Sequence, residues 1–202
     1  MPAKLLIATG NRGKLQEYRA LLNGVPFELT DLQQEKIDID VAEEGSTFEE
    51  NALTKARAYA EASGLLTVAD DSGLEVDALG GEPGVYSARY GGSGLSDEDR
   101  VRHLLDTLKD VPKEKRTARF RCVIVVQEPS GTPHIFEGTC EGVIAFETRG
   151  SNGFGYDPVF YFPELGATMA ELPEAEKNRV SHRGRAVQIA LPFLRSLASY
   201  NR

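Results

Sequence analysis

Short apolar runs of strand length alternate along the chain with segments whose apolar residues recur at helical spacing. Leu5-Leu6-Ile7-Ala8 marks a buried strand over 4–8, a helix is predicted over 13–22, and a second strand over 27–31. Beyond the acidic loop from Asp38 to Gly45, Thr47 stands as an N-cap with Glu50 three residues on, a spacing that predicts a capping box. The helix it opens carries Ala52, Ala56, Tyr59, Ala60 and Ser63 at helical spacing and is expected to stop at Gly64. Residues 65–69 read as a further strand that runs into Asp70-Asp71-Ser72-Gly73, and a long Gly-rich loop follows. Ser96 with Asp97, Glu98 and Asp99 opens another helix, the acids favouring the positive end of its dipole. Residues 118–128 and 134–146, separated by Pro129-Ser130-Gly131-Thr132-Pro133, predict a long β-hairpin. The last helix is expected after Ser181, to about Ala198, with an apolar stripe of Val187, Ile189, Ala190, Leu194 and Leu197 and with Pro192 disturbing its ladder. Strands alternating with helices, without internal repeats, place the chain in the α/β class.

Composition narrows what such a fold can do. With 202 residues the chain is long enough for one domain, or two small lobes sharing a core, without disulfides or structural metal. Cys122 and Cys140 stand far apart, with no C-x-x-C and no His at zinc spacing, and read as reduced, strand-buried thiols. No apolar run approaches the ~18 residues of a membrane span, and the apolar stretch after Met1-Pro2-Ala3-Lys4 is too short for a signal peptide. A cytoplasmic protein is expected. The net charge of −8 argues against a nucleic-acid partner, since gripping a duplex takes several Lys or Arg. A small anion remains compatible, because a local cluster of positive groups holds a phosphate chain inside an acidic protein.

Three constellations carry chemistry. Thr9-Gly10-Asn11-Arg12-Gly13-Lys14 lies between a strand and a helix, where glycines allow close approach, a helix N-terminus presents N–H groups, and Lys14 adds a charge suited to a triphosphate. It is not a Walker A loop, for Leu15 stands where the Ser or Thr that binds Mg²⁺ belongs. The second is acidic: Glu43 and Glu44, Glu49 and Glu50, Asp70 and Asp71. Mg²⁺ takes one or two carboxylates plus phosphate oxygens and water, which Glu43 and Asp71 could supply. Glu44, Glu49 and Glu50 read better as solvated or capping residues. Asp70 and Asp71 read as lying at a strand end, where open α/β sheets place ligands, with only one of the two able to face a given site unless the strand bends. The third joins Gly153-Phe154-Gly155-Tyr156-Asp157-Pro158 to Lys177 and to Ser181-His182-Arg183-Gly184-Arg185. Glycines around an aromatic ring allow a planar base to stack, and Arg beside His offers donors for a carbonyl edge.

Taken together and in order, these segments resemble the inosine triphosphate pyrophosphatase (HAM1-like) family, which hydrolyses non-standard purine nucleoside triphosphates such as ITP, dITP and XTP to monophosphate and pyrophosphate. The resemblance rests on ATGNRGK at 8–14, EEGSTFEENALTKA at 43–56, ADDSGLEVDALGGEPGVYSARY at 69–90, GFGYDPVF at 153–160 and EKNRVSHRGRA at 176–186. It implies a long, bent mixed β-sheet flanked by helices, two lobes sharing one domain with a central cleft, and usually a homodimer. It also implies that Thr9, Gly10, Asn11, Arg12, Gly13 and Lys14 cradle phosphates, with Asn11 and Lys14 most engaged, and that Lys55 faces the phosphate chain. Glu43 matches the first acid of the family's E-x-G-x-T-F stretch and would hold Mg²⁺; a shift of one residue would exchange it with Glu44. Asp71 resembles the catalytic carboxylate, which also touches the metal, and Ser72 a substrate contact. Phe154, Gly155, Tyr156 and Asp157 match the nucleoside-binding segment, and Lys177, His182 and Arg183 the residues closing over substrate and base.

The chemistry so implied is attack of water on the α-phosphorus in line with a pyrophosphate leaving group, where positioning and charge neutralisation dominate. Mg²⁺ is the expected cofactor, with Mn²⁺ a substitute that accepts the same oxygen ligands. A 6-oxo purine would meet donors from the 182–183 segment where adenine presents a clashing amino group. Two other readings compete: a Maf-like pyrophosphatase acting on other modified nucleotides, from which TGNRGK and SHRGRA differ, and a nucleotide-binding module without catalysis.

Overall fold

The computed structural model describes residues 3–200. Seven strands form one open mixed sheet flanked by helices, in the order β2-β1-β3-β4-β5-β6-β7. In chain order the elements are β1 (Lys4–Ile7), α1 (Arg12–Leu21), β2 (Glu28–Asp31), α2 (Phe48–Ser63), β3 (Leu66–Val76), α3 (Asp97–Thr107), β4 (Thr117–Gln127), β5 (His134–Ile144), β6 (Phe160–Phe162), β7 (Ala167–Thr168), α4 (Glu174–Val180) and α5 (His182–Tyr200). Two compact units divide the chain. One gathers residues up to Asp71, Cys122–Gly138 and the chain from Arg183 onward; the other gathers Ser72–Arg121 and Thr139–His182.

The first unit is a parallel βαβ arrangement. β1 pairs in parallel with β2 on one side and β3 on the other, Ile7 lying opposite Asp31 and Val68. Its core packs Leu5, Ile7, Val68, Cys122 and Ile124 of the sheet against Tyr18 and Leu22 of α1 and Val187 and Leu194 of α5. Three of the five residues in the expected α5 stripe are buried, whereas Ile189 is 56% exposed and Leu197 is partly buried. Successive turns at 187, 190 and 194 already cover the contact, and 189 falls outside that arc. α5 runs through Pro192 as a single helix.

α2 begins and ends where its sequence predicts. Thr47 accepts from the Glu50 N–H, and Gly64 closes the helix in a left-handed conformation. The Glu50 carboxylate reaches back past the N-cap, accepting from the N–H and hydroxyl of Ser46 at 2.7 and 2.8 Å, and Thr47 also hydrogen-bonds it.

The second unit packs Leu74, Phe120, Cys140, Ile144, Phe160 and Met169 around Val101 and Leu104 of α3 and Leu108 at its C-cap. Both cysteines are reduced and buried, as expected. Arg116 is fully buried and donates to the carbonyls of Leu108, Ile144 and Ala145, so one guanidinium serves the ends of both α3 and β5. The Gly-rich stretch after Gly73 contains 3₁₀ turns at Asp77–Leu79 and Gly84–Arg89. β6 and β7 are too short for a periodic pattern to announce them, and they pair antiparallel. No helix among the described residues is long and apolar enough to cross a membrane.

Candidate active site

The acidic pair sits within a strand rather than at its end. β3 runs five residues past Asp71, to Val76, so the expected strand end is corrected. The end that matters belongs to β1, which stops at Ile7 beside Val68, leaving β3 to carry Asp70 and Asp71 past the carboxyl end of its parallel neighbour. The loop from Thr9 leaves from that edge. The two carboxylates engage different helices, yet Lys14 and Lys55 are each near enough to both to favour their charged forms.

Asp70 turns toward α1 and α5. Its carboxylate lies 3.1 Å from the Lys14 ammonium and 3.3 Å from the Arg183 guanidinium, with the Cys122 thiol at 3.6 Å. Arg183 also donates to Glu17, so one guanidinium is buried between two carboxylates, with the partly exposed Lys14 ammonium completing the group. Burial alone would raise the Asp70 pKa, but Lys14 and Arg183 hold it well below the usual carboxylate range. Burial pushes the Cys122 thiol up to about 12, with Asp70 adding to the rise.

Asp71 turns toward α2. Asn51 donates to its Oδ2 at 2.9 Å, and the Lys55 ammonium stands 3.6 Å from its Oδ1. Asn51 and Lys55 are one helical turn apart, so α2 offers both from one face. Lys55 also donates to Glu43 Oε1 at 2.6 Å, while Glu44 is exposed. Burial raises the Asp71 carboxyl above its ordinary value, opposed by Lys55 and Lys14. Lys55 moves up as well, its own burial outweighed by Asp71, Asp70 and Glu43. Glu43 and Asp71 thus already share one cation, and their hard oxygen donors suit Mg²⁺ completed by phosphate oxygens and water. Among the described residues no group of three or more His, Cys, Asp or Glu is poised for a metal ion.

The Thr9–Lys14 loop builds the start of α1. Asn11 is the N-cap, its side chain accepting the Lys14 N–H at 3.0 Å, and Thr9 Oγ1 accepts the Asn11 N–H at 3.2 Å. Gly10, Asn11 and Arg12 are exposed and Gly13 is partly buried. The first-turn N–H groups lack acceptors within the helix, so an anion is favoured there.

In the second unit Asp157 organises the aromatic segment. Its carboxylate accepts the Phe154 N–H at 2.9 Å and pairs with the buried Lys177 ammonium, which also lies 4.9 Å from the Phe154 ring centre. Tyr156 is buried and donates to the Ser87 carbonyl, and burial raises its phenol. Phe154 and Gly155 line a cavity of about 680 Å³ together with Asp97, Val101, Arg102 and Asn152. Asp97 accepts the Gly155 N–H at 2.9 Å. His182 is buried and stacks on Phe120 at 4.7 Å, and Ser72 is partly buried.

Sequence reading passed over Asn51, Glu17 and Asp97. The spacing of Asn51 four residues before Lys55 was the available signal for the first; Glu17 and Asp97 read as ordinary polar helix positions.

The chain is similar to known proteins along nearly its whole length. The Ham1 family model matches residues 5–193. A dITP/XTP pyrophosphatase of Geobacter sulfurreducens is 54% identical over 92% of this chain and 94% of its own length. One of Desulforamulus reducens is 50% identical over 96% of each. A solved HAM1 protein from Coxiella burnetii superposes with a TM-score of 0.87 at 41% identity, covering 96% of this chain and 99% of that one. The Staphylococcus aureus Ham1 protein does so at 0.85 and 43%, with the same coverage.

Proposed function

Since the chain belongs to the Ham1 family, we propose that it hydrolyses non-standard purine nucleoside triphosphates (ITP, dITP, XTP) to the monophosphate and pyrophosphate, clearing them from the nucleotide pool. One observation carries this reading: two lysines, Lys14 and Lys55, converge on Asp70 and Asp71 at the carboxyl end of β1. Such a cluster binds a polyanion and places a carboxylate beside it.

In the proposed reaction, water attacks the α-phosphorus and the bond from that phosphorus to the bridging oxygen breaks. The electron pair leaves with pyrophosphate, and Asp71 accepts the proton of the attacking water. A carboxyl raised by burial is suited to that transfer. Lys14, Lys55 and Lys177 offset the charge gathering on the leaving group, and the N-terminus of α1, from Thr9 through Lys14, orients the phosphates. Glu43 and Asp71 would hold Mg²⁺, or Mn²⁺ in its place, which supplies further charge neutralisation to the phosphate oxygens.

In this reading residues 153–157 and 177–183 bind the nucleoside within a single pyrophosphatase domain. Phe154 with its flanking glycine offers the base a stacking face, Asp157 and Lys177 hold that segment, and Ser72 contacts substrate. His182 and Arg183 donate to the 6-oxo group that hypoxanthine and xanthine share, where adenine would set donor against donor. We further propose a homodimer working in the cytoplasm.

Mass spectrometry of products from ITP, XTP, ATP and GTP, each incubated with Mg²⁺, tests the proposal. Monophosphate and pyrophosphate from ITP and XTP alone are expected. Diphosphate and orthophosphate would move the attack to the γ-phosphorus, and absence of turnover would return the chain to a binding role.

A further inference from the structure

Asn51 is almost completely buried, with 1% of its surface exposed, and both ends of its amide are used. Its Oδ1 accepts the Gly45 N–H at 2.8 Å, and its Nδ2 donates to Asp71 Oδ2 at 2.9 Å. The two partners fix which end is which, since an N–H requires the oxygen and a carboxylate requires the NH₂. The loop comes in close to receive it: a Cβ on residue 45 would fall 2.7 Å from Asn51 Oδ1 and 2.8 Å from the Glu50 Cβ. One side chain therefore clamps the loop carrying Glu43 and, at its other end, the carboxylate of Asp71.

We propose that Asn51 is the positioning residue for Asp71, and that it sets the loop carrying Glu43 against the same carboxylate. The inference rests on the function proposed above, in which Asp71 takes the proton. An aspartate carboxylate turns about the two bonds of its side chain; the Asn51 donor restrains that rotation by engaging Oδ2 and leaves Oδ1 toward Lys55, 3.6 Å away. The alternative is a structural role, in which the amide merely ties Gly45 to α2. Shape alone does not require an amide facing Asp71, whereas positioning does.

Asn51→Asp separates the two. It keeps an oxygen for the Gly45 N–H and has nearly the same shape, but it replaces the donor to Asp71 with a second carboxylate. With ITP and Mg²⁺ in a pyrophosphate-release assay, kcat is expected to fall about 10- to 100-fold, the range found when a hydrogen-bond partner of a functional ligand is removed. KM for ITP should stay within about threefold, because the phosphate lysines are untouched. In an Asp71→Asn background the same change should cause no further loss of residual turnover, since a residue acting through Asp71 has nothing left to position. Asn51→Ser, which cannot span both partners, should give the same split and serves if the aspartate variant does not fold by circular dichroism. Wild-type kcat in folded Asn51→Asp or Asn51→Ser, or an undiminished loss in the Asp71→Asn background, overturns the inference while leaving the pyrophosphatase reading intact. Absence of turnover by the wild-type protein overturns both.

Discussion

The ammonium of Lys14 stands 3.1 Å from the buried carboxylate of Asp70, and the Arg183 guanidinium reaches that same carboxylate at 3.3 Å. The two cations are not equivalent. Lys14 retains some exposure at the head of α1, while Arg183 is 1% exposed and is shared with Glu17. Removing Lys14 leaves Asp70 compensated by Arg183. Removing Arg183 takes a buried cation from Glu17 and Asp70 at once, in a place water reaches poorly, and breaking a buried pair in this way typically costs about 3 to 5 kcal/mol.

Arg183→Gln is therefore expected to lower the denaturant midpoint far more than Lys14→Gln, while Lys14→Gln does the greater damage to turnover per folded molecule. Urea unfolding of both variants alongside ITP kinetics checks the order. A reversed order would show that Asp70 depends on Lys14 for its charge balance. The ratio of ITP to ATP turnover in the folded fraction of Arg183→Gln tests its proposed part in base recognition: an unchanged ratio would leave that task to His182 and Phe154.

Asp71→Asn keeps the shape and preserves an acceptor for Asn51, but it cannot take a proton. Turnover of ITP should fall about 10²- to 10⁴-fold, the usual worth of a positioned acid or base. Binding of ITP in Ca²⁺, followed calorimetrically, should change little. A kcat within a few-fold of wild type would remove Asp71 from the chemistry.

Periodicity and caps were enough to place α2 and β1 within a residue, because a Thr47 N-cap, a Gly64 C-cap and a run of apolar residues are local statements. What escaped was written in long-range contacts. β3 continues beyond Asp71 because its neighbours supply hydrogen-bond partners for residues that look, in isolation, like a polar loop. Lys14 and Asp71 were legible as chemistry through residue type and spacing. Asn51 was not, since its place one turn before Lys55 shows only a shared helix face until its two partners, one in a loop and one on a strand, are brought to it.

Gly153 has a steric reason to be glycine. Its φ is +77°, and a Cβ there would lie 2.0 Å from Asp157 Oδ2 and 2.8 Å from the Lys177 ammonium. Neither group can withdraw easily, as they are buried and paired with one another. Gly153→Ala is expected to raise KM for ITP at least tenfold by pushing Asp157 off the Phe154 N–H, with thermal stability lowered by about 1 to 3 kcal/mol for the strained backbone. The nearby Gly155→Ala meets no atom within 4 Å and bears only its positive φ of +60°, so it should disturb Asp157 less. Steady-state kinetics of the two variants decides, and equal KM values would detach Asp157 from nucleoside binding.

Acid should also loosen the first unit at a carboxylate outside the proposed catalytic pair. Asp31, at the end of β2, accepts the Gln34 N–H at 2.9 Å and the Arg19 guanidinium at 2.6 Å. Burial works against its charge, but these donors win and hold the carboxyl below its ordinary value. A folded-state pKa below the unfolded one stabilises the fold above the unfolded value, about 3.9 for Asp, and that contribution fades as pH falls through the folded value. Because Arg19 is substantially exposed, the gain is about 1 kcal/mol or less at neutral pH. Asp31→Asn keeps an acceptor for Gln34 but abolishes the charge, so the urea midpoints of wild type and variant should differ from pH 7 down to about pH 5 and converge as pH falls below about 4. A gap that stayed constant over that range would assign the contribution of Asp31 to its hydrogen-bonded shape, with the ion pair to Arg19 adding nothing.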